Sequence, residues 1–372
     1  MNQRTFFIIL FVLAALLTGW LVYATRQGAQ AESIQEVSTK YWTSGHADIE
    51  AAAFNHWNDE GEVPAYCSKC HASSGFRDFI GADGTAAGSN ENPGRIQDPI
   101  NCTACHNDQA HALDAVTFPN GVEITGTGNA SACMTCHGGM GSSNNVAKAI
   151  EGKDLEEVLE GQGLLSAHYH IAAAMNMGAD AGMGYQYEGK SYVGKFRHAE
   201  MVDSCTKCHD PHSLRTRRGD NDKTLCNTCH SEVQSFPDYR TVTTSKKDWD
   251  GDGTVESAYD EIEGMKDVLW HAMHQYALKT TGDALAIKTD QYPYVFIDTN
   301  QDGVLGEDEA AFGNQFKSFT PRLLRAAYNY MFVVKDPAAY LHNAQYALQL
   351  MYDSIEDLAG ESGVSVDALS RP

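Results

Sequence analysis

The chain has 372 residues, with 49 Asp and Glu against 27 Lys and Arg, and its formal net charge is −22. This acidity argues against nucleic acid as a partner, because binding the phosphate backbone requires a basic surface. It favours basic protein partners or bound cations instead. The length alone allows about two or three domains.

An apolar run from Phe6 to Leu17 follows a basic residue near the N-terminus. Its length is typical of a signal peptide, with a small-residue cleavage pattern ending at Ala24 and a second at Ala31. With the residues that follow it, the run also reaches the lower length limit of a membrane-spanning helix. Residues 1–24 are therefore predicted to be a cleaved signal peptide or an uncleaved anchor in the inner membrane. Both alternatives place the rest of the chain in the periplasm.

The ten cysteines all lie in five Cys-x-x-Cys-His motifs. This is the attachment signature of haem c, in which two thioethers hold the porphyrin and the His binds iron. A structural zinc site would not require a His after every second Cys. The sequence therefore predicts five covalently bound haem c groups. The predicted attachment residues are Cys67, Cys70, His71, Cys102, Cys105, His106, Cys133, Cys136, His137, Cys205, Cys208, His209, Cys226, Cys229 and His230.

The pattern between the motifs predicts a mainly α fold with little sheet, in which haem groups fill the core of a body over residues 40–244. Dense helix formers predict a helix over residues 40–60. Alternation around a Pro-Asn-Gly turn predicts a hairpin over 116–125, and a second short hairpin is expected over 185–196. Surface loops are expected at the glycine- and asparagine-rich segments 81–95 and 138–146.

Residues 245–313 contain no Cys and are expected to form an inserted calcium module. The segment Asp298–Glu309 matches the twelve-residue EF-hand loop, with Gly303 at the position of the sharp turn. The predicted calcium ligands in this loop are Asp298, Asn300, Asp302, the Val304 carbonyl and Glu309.

A second acidic loop begins at Asp248 in the same way, but Tyr259 occupies its twelfth position. Either Asp260 or Glu261 closes a longer loop, or the site is weak. EF-hands normally occur in pairs, so the two loops predict an EF-hand pair that acts as a structural calcium clip. The predicted ligands in this loop are Asp248, Asp250, Asp252 and Thr254.

The last region, residues 314–372, is expected to form helices that pack back onto the haem body. Thr320 and Asp336 are capping residues, and each is followed by a Pro suited to the first helical position. The second of these helices should run to about Leu358.

The residue that binds the second axial position of each iron decides the function. A second His gives a saturated electron carrier, whereas an open position can bind a substrate. Ten histidines lie outside the motifs. His212 is too close to His209 for both to bind one iron, so it should reach a neighbouring haem, and His198 offers a similar link.

The remaining histidines are less constrained. His168 is preferred over His170, and either His46 or His56 could serve from the predicted helix 40–60. His271 and His274 are interpreted as surface or packing residues. The candidates for the distal position are His46, His56, His168, His198, His212 and His342.

These residues resemble the multihaem cytochromes related to pentahaem nitrite reductase, hydroxylamine oxidoreductase and octahaem tetrathionate reductase. The resemblance implies distal roles for His198, His212 and His342, and a mostly helical fold with haems in close pairs. The Cys-x-x-Cys-Lys motif usual at the catalytic haem of such nitrite reductases does not occur. The segments that carry the resemblance are Cys205–His212 with His198, His168-Tyr169 and Leu341–Asn343.

The sequence therefore predicts a periplasmic protein that transfers electrons between redox partner proteins, with no catalytic residue assigned. The alternative is an oxidoreductase that acts on a small nitrogen or sulfur oxyanion at one five-coordinate haem. A third alternative is a structural subunit of a larger electron conduit, and the oligomeric state is left open.

Overall fold

The computed structural model describes residues 32–198, 203–216, 226–231, 233, 236–243 and 245–372. The predicted signal peptide or anchor, residues 1–24, lies outside these ranges. Among the described residues, no helix combines the length and the apolarity needed to cross a bilayer. The α-helices are α1 (Ile34–Trp42), α2 (Ala52–Asn55), α3 (Ala65–His71), α4 (Ser73–Phe79), α5 (Cys102–Cys105), α6 (Asp108–Ala112), α7 (Ser131–His137), α8 (Ser143–Ile150), α9 (Ala172–Met177), α10 (Cys205–Cys208), α11 (Ala258–Thr281), α12 (Pro321–Val334), α13 (Ala339–His342) and α14 (Ala344–Ser362).

Sheet is limited to short antiparallel pairs of strands in the described part of the chain. The hairpin predicted over 116–125 is confirmed, with Val116 opposite Ile124. The prediction of a mainly α fold with little sheet is confirmed as well. The pairs are β1 (Glu62–Val63) with β2 (Gly94–Arg95), β3 (Ala115–Thr117) with β4 (Glu123–Thr125), and β5 (Ala284–Ile287) with β6 (Val295–Asp298).

The helix predicted over residues 40–60 is wrong. Helix α1 begins earlier, where Ser33 and Glu36 form a capping box, and it ends at Trp42. The chain then turns, and the Asp48 side chain accepts a hydrogen bond from the Glu50 N–H at 3.1 Å. Such local bonds compete with the helical pattern, so helix formation resumes only in the single turn of α2.

Two further local predictions are corrected. Residues 185–196 form only a turn, with Gly189 at φ +77°, and no strand pairs across it. The segment 138–146 is not a surface loop throughout, because α8 begins at Ser143. Gly139 lies against the backbone of Ala167, and an added Cβ would come within 2.9 Å of the Ala167 carbonyl oxygen.

The C-terminal helices differ in how well their boundaries were predicted. Helix α12 is confirmed, and its Thr320 cap accepts a hydrogen bond from the Leu323 N–H. The single helix expected from Pro337 to Leu358 is wrong, because Asn343 adopts an extended conformation that separates α13 from α14. The Asn343 side chain then caps α14 by accepting from the Tyr346 N–H at 3.1 Å.

A side-chain core lies where α11, α12 and α14 pack against one another. Its largest fully buried side chains include Tyr276 of α11, Tyr328 and Phe332 of α12, and Tyr346 of α14. Aromatic side chains of this size contribute much of the apolar area that folding buries. The predicted calcium module and C-terminal region therefore share one core, against which the motif segments lie.

Replacing Thr320 by Ala removes the cap of α12 and leaves the buried Tyr276 hydroxyl without its 2.9 Å contact to the Thr320 hydroxyl. We expect the free energy of unfolding to fall by about 1–2 kcal/mol. Guanidinium unfolding followed by far-UV circular dichroism measures this change. Thr280→Ala is the matched control, since Thr280 bonds only to a carbonyl within its own helix and should change stability by less than about 0.5 kcal/mol. Equal effects of the two substitutions would contradict the capping role.

Candidate haem and cation sites

Each Cys-x-x-Cys pair occupies one helical turn. Helices α3, α5, α7 and α10 carry the first four pairs, and the fifth lies at the 3-10 turn Cys226–Thr228. Residues three apart in a helical turn project from the same face, so each pair presents its two sulfurs on one side. All ten cysteines fall within the described ranges and none of them forms a disulfide, so each sulfur is available for a porphyrin vinyl group.

Every motif histidine has the imidazole of a non-motif histidine opposite it. A metal–imidazole nitrogen bond is about 2 Å long, so two imidazoles on opposite sides of one iron have ring centres roughly 6 Å apart. The observed separations fit a haem iron between each pair of rings. They are 6.2 Å for His137 and His46, 5.9 Å for His71 and His168, 6.2 Å for His106 and His212, 6.0 Å for His230 and His198, and 6.5 Å for His209 and His342.

The structure thus places five of the six distal candidates opposite a motif histidine. His56 is the exception, because among the described residues its ring contacts Trp57, edge-on at 4.8 Å, and no motif histidine, although its charge acts on His71. His111, which was not a candidate, lies 6.0 Å from His106 with its ring nearly perpendicular, the same arrangement as His168 and His71, so two imidazoles lie near His106. The interpretation of His274 as a packing residue is confirmed, since it is buried and donates from Nδ1 to the Leu285 carbonyl.

The backbone orients several of these imidazoles. His71 donates from Nδ1 to the Ala53 carbonyl at 2.9 Å, and His137 donates to the His170 carbonyl at 2.7 Å. When Nδ1 carries the proton and donates it to a carbonyl, Nε2 keeps a free electron pair that can bind iron.

The segment around His168 is irregular, with neither helix nor strand at residues 163–170. His168 and His170 both have positive φ, at +78° and +52°. This conformation is rare for residues with a Cβ and marks a backbone that its surroundings constrain. It directs the His168 ring to His71 and the His170 carbonyl to His137.

His342 differs from the other histidines because its Nδ1 bonds to a carboxylate. The two Asp336 oxygens lie 2.9 and 2.8 Å from Nδ1. Burial alone would lower the pKa of His342, but the Asp336 carboxylate outweighs it and raises the pKa above its ordinary value. The sequence indicated Asp336 only as a helix cap, and its contact with His342 is known from the structure.

The turn after the fourth motif is fixed by Asp210. Its carboxylate accepts hydrogen bonds from the backbone N–H groups of His212 and Ser213, and from Lys40 of α1 at 2.9 Å. Burial raises the pKa of Asp210, but these hydrogen bonds outweigh burial and hold it well below its usual range. The turn directs His209 and His212, three residues apart, to His342 and His106 respectively.

The third motif lies near two others. The Cys136 sulfur lies 3.6 Å from the Lys69 carbonyl of the first motif. The Cys70 and Cys205 thiols raise the pKa of the Cys136 and Cys133 thiols, respectively, so attachment cysteines of the first and fourth motifs lie close to those of the third.

The loop Asp298–Glu309 folds back on the Asp298 carboxylate but is not flanked by the two helices of an EF-hand. It lies between strand β6 and the 3-10 turn Phe312–Asn314, so the expected helix–loop–helix pair is wrong. Asp298 Oδ2 accepts from the Gly303 N–H at 2.8 Å, whereas its buried Oδ1 has no hydrogen-bond partner. Hydrogen bonds from Thr299 and Gly306 lower the pKa of Glu309 to about 2.

The loop that starts at Asp248 is closed by Glu261, one of the two alternatives left open by the sequence. Carboxylate oxygens of Asp248, Asp250 and Glu261 lie within 4.8 Å of one another. Burial, followed by the charges of neighbouring acids, raises the pKa of Asp250 to about 6. A Cβ at residue 264 would lie 1.7 Å from Asp250 Oδ2, so Gly264 leaves room for this carboxylate.

Comparison with known proteins agrees with the motif geometry. Residues 52–148 match the family described as cytochrome c7 and related cytochrome c, and this range includes the first three Cys-x-x-Cys-His motifs. Together, the five motifs and this family match identify the chain as a multihaem c-type cytochrome.

Its curated relatives are also cytochromes with many haems. The C-type polyheme cytochrome OmcB of Geobacter sulfurreducens, from strain DL-1/KN400 and strain PCA, is 24% identical over 371 residues, covering 83% of this chain and 46% of the relative. OmcC of strain PCA is 24% identical over 378 residues, covering 84% of this chain and 45% of the relative. The chain therefore spans about half the length of the curated relatives it matches. No solved structure matches the chain.

Replacing Asp210 by Asn should loosen the turn that carries His212, because the charged acceptor of three hydrogen bonds is lost. We expect the free energy of unfolding to fall by about 1.5–3 kcal/mol. Denaturant unfolding of the haem-loaded protein measures the change. Asp59→Asn, at an exposed carboxylate, is the control and should have little effect. Stability equal to wild type in Asp210→Asn would show that the turn does not depend on this carboxylate.

Proposed function

We propose that this protein is a periplasmic electron carrier with five haem c groups, each held by two histidines. The observation that carries the proposal is the set of five imidazole pairs, with ring centres 5.9–6.5 Å apart. When bound, the haems supply reversible one-electron chemistry. The protein residues supply attachment, axial nitrogen ligands and the surrounding charge.

The chain connects neighbouring sites closely enough to support transfer through the protein. The Cys70 and Cys205 thiols lie near those of Cys136 and Cys133 and raise their pKa, which brings the first and fourth motifs close to the third. The second and fourth sites are joined differently, because His212 lies opposite His106 only three residues after His209. These four neighbouring sites favour passage of electrons between separate partner proteins over storage at one centre.

The carrier is favoured over the oxidoreductase alternative because an imidazole faces each of the five motif histidines. An iron with two protein imidazoles has no open position for a nitrogen or sulfur oxyanion. The relation to the nitrite reductase and hydroxylamine oxidoreductase superfamily stays a prediction, as do residues 1–24 as a signal peptide or inner-membrane anchor.

We also propose that calcium binds both acidic loops and stabilises the region beside the α11–α12–α14 core. The support at the Asp298 loop is the buried Asp298 Oδ1, which has no hydrogen-bond partner and belongs to a carboxylate of the right type for calcium. The support at the other loop is the cluster of Asp248, Asp250 and Glu261. Like charges this close repel one another, and a divalent cation would relieve that repulsion.

The imidazole pairs predict the result of single substitutions. Changing any one of His46, His168, His198, His212 or His342 to Ala should convert one haem from low spin to high spin, because one axial ligand is removed. Electron paramagnetic resonance of the oxidised protein measures the change, and a pyridine haemochrome assay checks that five haems remain attached.

His56→Ala is the matched control, and all of its haems should stay low spin. A high-spin haem in the wild-type protein that binds cyanide or nitrite would contradict the carrier and favour the oxidoreductase. Fewer than five haems in wild-type protein would contradict the cofactor count.

Calcium should raise the stability of the haem-loaded protein. At a calcium concentration one hundred times the dissociation constant, one site contributes about 2.7 kcal/mol. Asp298→Ala should remove one bound calcium per chain, as measured by elemental analysis after dialysis against calcium. Asp308→Ala, in the same loop but exposed and outside the ligand positions, should retain it. Equal calcium content in the two variants would contradict this site.

A further inference from the structure

His342 is held by a buried carboxylate that has few other partners. Asp336 is 3% exposed, and both of its oxygens lie within 2.9 Å of His342 Nδ1. Its carboxylate also accepts a 3.3 Å hydrogen bond from the Ala338 N–H. Among the described residues, His342 alone has a basic side chain within ion-pair distance of Asp336.

The nearest lysine in sequence does not neutralise this carboxylate. Lys335 is directed away, with its Nζ 3.7 Å from the ring centre of Tyr169 and 3.9 Å from that of Tyr294. The same Nζ donates to the Thr289 carbonyl at 3.1 Å. The Asp336 carboxylate therefore acts most directly on the His342 imidazole, to which it is hydrogen-bonded, while its charge also reaches His137 and Tyr340.

The opposite imidazole of this pair is bound differently. His209 donates from Nδ1 to the Leu214 carbonyl at 2.9 Å, and Leu214 has a positive φ of +59° that directs this carbonyl. His71 and His137 also donate to carbonyls. His342 therefore differs from His71 and His137 in the acceptor of its Nδ1 proton. That acceptor is a buried carboxylate and not a backbone carbonyl.

A carboxylate that accepts the Nδ1 proton makes an imidazole a stronger electron donor through Nε2. A stronger donor stabilises ferric iron more than ferrous iron, because the ferric ion carries the larger charge. The buried negative charge acts in the same direction, since its interaction with iron is weakly screened inside the protein. Both effects make the iron harder to reduce.

We propose that Asp336 is a positioning residue that lowers the reduction potential of the haem attached at Cys205 and Cys208. This inference rests on the proposed function, in which His342 is an axial ligand of that haem. It deepens that function, because a low-potential centre beside the third and second sites would order the steps of electron transfer along the protein.

Asp336→Asn tests the proposal in the full haem-loaded protein. Asparagine is nearly the same size and keeps an oxygen that accepts from Nδ1 and from Ala338, so the fold and the ligand position should be retained. We expect a spectroelectrochemical titration to show one of the five haem components shifted to higher potential. We also expect one low-spin signal to move in electron paramagnetic resonance, with no high-spin signal appearing.

Two further variants complete the experiment. Asp336→Glu keeps the charge and should return the shifted component towards its wild-type potential. Asp353→Asn removes another buried carboxylate, which pairs with Arg371 instead of a histidine, and should leave all five components in place.

The outcomes separate this inference from the proposal on which it rests. If His342→Ala produces one high-spin haem but Asp336→Asn moves no component, ligation stands and the tuning role of Asp336 is wrong. If His342→Ala leaves every haem low spin, His342 is not a ligand, and the proposed pairing and this inference fail together. An equal shift in Asp353→Asn would also overturn the inference, because it would show an effect of net charge alone.

Discussion

The separation of roughly 6 Å between paired imidazoles is the constraint on which the rest of this protein depends. Each pair joins a motif histidine to a histidine that is remote in sequence, so each iron would hold two parts of the chain together. The pair His137 and His46 connects the third motif to the N-terminal segment, and His209 and His342 connect the fourth motif to α13. The contacts that would hold the irons are therefore also contacts between remote segments of the fold.

These contacts need a rigid support, because an axial ligand must be held at the correct distance and angle. The packed helices α11, α12 and α14 supply it on one side, with fully buried aromatic side chains that fill their interface. On the other side the motif helices are short, and they depend on local devices such as the Asp210 turn and the left-handed residues His168 and His170. The molecule combines a conventional helical core with a motif region built from short helices and turns.

The negative charge of the chain has more than one role in this arrangement. Asp336 is directed at a single imidazole, and Asp210 fixes a backbone turn. The carboxylate oxygens of Asp248, Asp250 and Glu261 converge within 4.8 Å of one another, and Asp298 is buried at the start of the other loop. Several carboxylates are thus buried and locally bound, so part of the net charge of −22 is structural rather than a property of the surface alone.

The sequence by itself determined the class of the protein, since the Cys-x-x-Cys-His motif is a local pattern whose chemistry depends on adjacent residues. Features set by local geometry, such as the β3–β4 hairpin and the Thr320 cap, were also predictable. The tertiary structure decided which remote histidine lies opposite each motif, why His56 is excluded, and that Asp336 reaches His342. It also decided that strand β6, and not a helix, leads into the Asp298 loop. Those results depend on how separate segments pack, and neither spacing nor periodicity along the chain contains that information.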